Sequence, residues 1–118
     1  MGRRGRTRRL RVGSDLYLWS VRHVHAPDEE PGCREVLTIR RGRAGVRILF
    51  PAGPGRFVGD GLVPTGTVMA AGGPTVNLHE PRHVRTLLDG ARAAGWDPDT
   101  AWITDLDGWS LLERHAST

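Results

Sequence analysis

The chain has 118 residues, 38% of them apolar, with 16 glycines, 8 prolines and a formal net charge of +4; that bounds it to one small, turn-rich domain with a modest core. It has no apolar run of about 18 residues, so no membrane-spanning helix is expected, and its basic N-terminus lacks the apolar centre of a signal peptide, which points to a cytoplasmic protein. A single cysteine, Cys33, excludes an intrachain disulfide and fits a reducing compartment.

In chain order, residues 1–9 read as a disordered arginine-rich tail and residues 10–118 as a single α+β domain. All 17 basic residues are arginine, and Arg3, Arg4, Arg6, Arg8, Arg9 and Arg11 fall in the first 11 positions. The remaining 11 arginines face 13 acidic residues, so the positive charge is expected to belong to the tail and not to the body. The absence of lysine reads as the mark of a GC-rich genome. Leu10 and Val12 begin a first short strand, and Gly13-Ser14-Asp15 is a turn signal. Leu16 to His25 is the strongest strand: Tyr17, Trp19 and Val21 share one face, Leu16, Leu18 and Val24 the other. Its first half is apolar on both faces, which predicts a central strand covered on both sides. Ala26 to Gly32 is an acidic, proline-bounded loop.

Arg34 to Arg41 and Val46 to Phe50 form a hairpin across Gly42 to Gly45. Leu37 and Ile39 point inward from the first arm, and Val46, Ile48 and Phe50 share a face of the second. Arg56 to Val58 is a further short strand. Leu62 to Pro64 and Thr67 to Ala70 suggest a weak hairpin around Thr65-Gly66, and Thr75 to Leu78 leads into a helix. That helix, about residues 81–94, is the firmest element. Pro81 suits its first turn, and Val84, Leu87, Leu88 and Ala91 make one apolar stripe. Gly95 ends it, Trp96 caps it as a hydrophobic lid, and Pro98 forbids continuation. Ala101 to Thr104 is a last strand and Trp109 to His115 a closing helical turn. The four tryptophans, Trp19, Trp96, Trp102 and Trp109, read as core.

Several strings invite a chemical reading. His79-Glu80-Pro81-Arg82-His83 matches the H-E-x-x-H string of zinc hydrolases, in which two histidines one turn apart hold the metal and the glutamate activates its water. Pro81 argues against it: it places His79 before the helix and His83 within it. His23, His25 and Cys33 are soft or borderline ligands that a strand and its return could bring together, with His79 or His83 approaching in space; more simply, the two histidines lie where the strand leaves the core and Cys33 is a small buried or semi-buried residue before a strand. Gly53 to Gly59 lacks the following helix that a phosphate loop requires and reads as a glycine-rich connection. Asp97, Asp99, Asp105 and Asp107 make an acidic C-terminal region, of which Asp105 to Gly108 is half a calcium loop, or simply a turn and helix start. The arginines of the tail suit phosphates, although no aromatic residue lies among them to stack on bases.

Taken together, Tyr17 to His23, Cys33-Arg34-Glu35, Asn77 to Pro81 and Asp107-Gly108-Trp109 resemble small uncharacterised proteins of GC-rich actinobacteria. That resemblance spans about the whole chain after the tail and implies a stand-alone cytoplasmic single-domain protein; it carries no known activity and brings no catalytic residues with it. The expected fold is α+β: a mainly antiparallel sheet of four to six short strands, with the 81–94 helix on one face. The expected function is a non-enzymatic binding or protein-interaction module, using a sheet edge to reach a protein partner or a second copy. The alternatives are a nucleic-acid accessory protein acting through Arg3, Arg4, Arg6, Arg8, Arg9 and Arg11, and a metal-dependent hydrolase using His79, Glu80 and His83. No cofactor and no membrane partner are expected.

Overall fold

The computed structural model describes residues 6–25, 33–59, 66–73 and 75–116. The elements run β1 (Arg8–Val12), β2 (Asp15–His25), β3 (Cys33–Arg41), β4 (Ala44–Pro51), β5 (Arg56–Val58), β6 (Thr67–Ala70), β7 (Thr75–Asn77), α1 (Pro81–Ala93), β8 (Ile103–Asp107) and α2 (Gly108–Ala116). The fold is α+β, with one five-stranded sheet in the order β1-β2-β3-β4-β8 and a separate three-stranded sheet in the order β5-β6-β7. All pairings are antiparallel except β4 with β8, which is parallel.

Alternation builds the core. Trp19, Ile39 and Val46 face one another across three strands, and Val21, Leu37 and Ile48 form the next rung. All six are buried, as the period of two on a half-covered sheet requires. Val58, Val68 and Val76 make one rung of the small sheet and join the same core. The buried stripe of α1, Val84, Leu87, Leu88 and Ala91, closes over it. Pro81 occupies the first turn. The helix ends in a Schellman motif: the Trp96 amide donates to the Ala91 carbonyl at 3.0 Å and the Gly95 amide to that of Arg92 at 3.0 Å, with Gly95 at φ +109°, where a side chain would be strained. Trp96 is then buried with its ring centroid 6.3 Å from that of Tyr17.

Helix α2 follows β8 without a loop. The Asp107 carboxylate accepts hydrogen bonds from the amide and hydroxyl of Ser110, so Asp105 and Asp107 belong to a strand and a helix cap, not to a calcium loop. A methyl group at Gly108 would overlap the Phe50 ring. Gly108→Ala is therefore expected to cost about 1–3 kcal/mol through overpacking, measured as a lower urea midpoint with an unchanged m-value.

Four expectations need correction. Strand β1 opens at Arg8, inside the stretch expected to be a disordered tail; Arg3 and Arg4 lie outside the described residues. The last strand is Ile103–Asp107, displaced toward the C-terminus, because Leu106 is its half-buried residue and Asp105 pairs with Arg47 on β4. Trp102 is 63% exposed and not core. Strand β2 is covered on one face only: Leu18 remains 41% exposed on the other. Residues 62–64 lie outside the described residues, and β6 takes its partners from β5 and β7.

Candidate functional site

The face of the five-stranded sheet opposite the core carries the residues that alternate with it, open around Leu16 and Leu18 and closed over at Val36, which is buried. Register places Arg9 beside Leu18 and Leu18 beside Arg40, with Arg11 beside Leu16. The next rung is Ser20, Thr38, Arg47 and Asp105, and beyond it come Arg22, Val36, Leu49 and Asp107, then Val24 and Arg34. A Cβ built on Gly45 would touch both Arg40 and Ile103, which confirms that these side chains share this face. Arg47 is held by Asp105 through two hydrogen bonds of 2.7 Å. Arg9, Arg11, Arg22, Arg34 and Arg40 form no ion pair with any described residue. Five guanidinium groups thus stand on one surface, interleaved with leucine, valine, serine and threonine, while the acids of the face are confined to its β8 edge.

The tail arginines divide accordingly. Arg9 and Arg11 point to the open face. Arg8 alternates to the other side, where its guanidinium lies 5.4 Å from the Trp19 ring centroid and donates to the His79 carbonyl at 2.9 Å. Arg6 is exposed ahead of β1.

A second group of polar residues gathers at the end of β2 and β3 on the core side. His23 and Glu35 are cross-strand partners, as are His25 and Cys33. His23 Nδ1 lies 2.7 Å from Glu35 Oε1, and His25 Nδ1 lies 2.8 Å from Cys33 Sγ. Glu35 is 0% exposed, and its Oε2 has no hydrogen-bond partner among the described residues. Burial pushes the Glu35 carboxyl above its ordinary pKa, against the hydrogen bond and charge of His23, the approach of the Gly66 amide and the charge of His79. The His79 ring lies against Gly66, where an added Cβ would overlap it.

The H-E-x-x-H string does not assemble into a metal centre. His79 turns toward Gly66 while His83 Nδ1 donates to the Asn77 carbonyl at 2.9 Å. Glu80 is the N-cap residue of α1, and its carboxylate accepts from Arg82 at 2.7 Å. Among the described residues, no three of His, Cys, Asp and Glu converge in a metal-holding arrangement. The glycine-rich connection delivers Phe57 and Val58 to a shallow apolar depression of about 130 Å³, shared with Thr67, Met69 and Thr75.

Two features escaped the sequence reading. Arg22, Arg34 and Arg40 were hidden by net charge, which averages over faces that a sheet separates. The alternation that points Leu37 and Ile39 inward assigns Arg34 and Arg40 outward. Glu35 carried the same signal in reverse: an acid in the inward phase of a strand. No helix among the described residues is long and apolar enough to cross a membrane. Comparison with protein-family models, with curated proteins and with solved structures found no match for the chain.

Proposed function

We propose that the chain is a cytoplasmic, non-enzymatic binding module whose open sheet face takes single-stranded nucleic acid. The observation that carries this reading is the set of five arginines, Arg9, Arg11, Arg22, Arg34 and Arg40, on the sheet face opposite the core, without an ion pair among the described residues. Guanidinium groups fork onto phosphate oxygens. Arg9 and Arg11 are two residues apart on one strand, hence about 6.7 Å apart along it, a spacing suited to consecutive phosphates. Leu16, Leu18, Val24 and Leu49 lie between the arginines and offer apolar area to unstacked bases. A duplex hides its base faces and has no use for that area, which favours a single strand.

The test is fluorescence anisotropy with a short labelled single-stranded oligonucleotide, comparing the full chain with Arg9→Ala/Arg11→Ala/Arg40→Ala. These positions are exposed, so the triple variant should retain its circular dichroism. Loss of at least about tenfold in affinity is expected, since each phosphate contact removed lowers binding in every sequence context. The reading is overturned if the wild-type chain does not bind, or if the triple variant binds as well. Equal competition by an acidic polypeptide would reassign the face to a protein partner.

A further inference from the structure

We propose that Glu35, His23 and His79 form a proton-operated latch that fastens the entry to β6 and the turn before α1 onto the five-stranded sheet. Each part comes from a different element. Glu35 stands on β3, His23 on β2, Gly66 directly before β6, and His79 two residues before α1. The carboxylate binds His23 on one side at 2.7 Å. Gly66 approaches it on the other and is itself tied to the following turn, since the Leu78 amide donates to the Gly66 carbonyl at 2.8 Å. The His79 ring lies over Gly66 and contributes its charge to the same carboxylate. Arg8 extends the arrangement to the sheet edge by binding the His79 carbonyl at 2.9 Å.

Proton counting gives the direction. The titratable groups facing Glu35 are His23 from β2 and His79 from the turn before α1. While the Glu35 carboxyl keeps its proton, the buried site holds no anion and the hydrogen bond to His23 is intact. Removing that proton leaves an anion at a site with no solvent access, where Oε2 has no hydrogen-bond partner among the described residues, a state that low-dielectric surroundings penalise strongly. The segment carrying Gly66 must then lift to admit water. In the unfolded chain Glu35 ionises near its ordinary pKa of 4.5, and in the fold it ionises at higher pH. Between the two the folded state holds more protons, so stability contributed by the neutral group is full below the lower value and is lost as pH rises through the higher one.

The experiment is a carbon NMR titration of the Glu35 carboxyl in the full chain, combined with hydrogen-exchange protection of the Leu78 amide across the same range. The expected result is a Glu35 midpoint above 4.5, and Leu78 protection that falls with rising pH by about tenfold for each pKa unit of displacement. His23→Gln and His79→Gln each remove compensating charge and are expected to move the midpoint further up. Glu35→Gln keeps the shape and removes the proton, and its Leu78 protection should not fall with pH. A Glu35 midpoint at the ordinary carboxylate value overturns the latch, as does a midpoint that neither histidine variant moves. The two histidine variants decide the matter even if Glu35→Gln does not fold, and none of these readouts depends on nucleic-acid binding.

Discussion

Trp109→Ala is expected to remove about 3–5 kcal/mol of stability, the range for truncating a large buried aromatic residue, and to lower the melting temperature by about 10–20 °C in a domain of this size. The indole is buried where β8 hands the chain to α2, 1% exposed. It meets Phe50 edge to face, with centroids 5.3 Å apart and planes at 89°, a geometry that adds to the area buried. Its Nε1 donates to the Pro51 carbonyl at 2.8 Å, and the Arg56 guanidinium lies 5.7 Å from the ring centroid. Alanine therefore leaves a cavity and removes the donor to the Pro51 carbonyl together. Trp102→Ala is the control. That residue is 63% exposed, and its loss should change stability by less than about 0.5 kcal/mol. Urea denaturation of both variants separates the two cases, and equal losses would contradict the burial assigned here.

The contrast between these tryptophans shows what the sequence carries. Helix α1 was legible because its stripe, its N-terminal proline and its terminal glycine all point the same way, and Gly95 and Trp96 complete the expected C-terminal motif. The β3–β4 hairpin was legible for the same reason: inward Leu37, Ile39, Val46, Ile48 and Phe50 leave one consistent register. Trp102 was misread because hydrophobicity says what a residue prefers, while its exposure depends on whether an element is left to cover it. Leu16 and Leu18 repeat the point, since their face of the sheet has no second layer among the described residues. β8 was displaced because Asp105 and Asp107 read as the start of a turn and helix, until Arg47 on the neighbouring strand supplies the partner that keeps Asp105 in the strand. The histidines illustrate a third limit. His23, His25 and Cys33 do meet across β2 and β3, as their spacing allowed, yet the residue that organises His23 is Glu35, and only register reveals it.

Nucleic-acid affinity is expected to fall about 100-fold between 50 and 200 mM salt. The figure follows from the open face. A single strand neutralised by five arginines releases counterions with a slope of about −0.7 per contact in log affinity against log salt, so five contacts give about −3.5. Arg9→Ala/Arg11→Ala/Arg40→Ala leaves Arg22 and Arg34, and its slope should shrink to about −1.4. Anisotropy titrations at four salt concentrations determine both slopes. The two numbers are more informative than either affinity, because a basic tail acting alone predicts a different pattern. Arg3, Arg4 and Arg6 are untouched in the triple variant, so binding through them would leave much of the slope in place. If Arg3→Ala/Arg4→Ala/Arg6→Ala lowers the slope while the sheet variant does not, the phosphates bind ahead of β1 and the face belongs to another partner. If the sheet variant alone lowers it, alternation along β1, β2 and β3 has sorted the arginines into a surface that the net charge of the chain conceals.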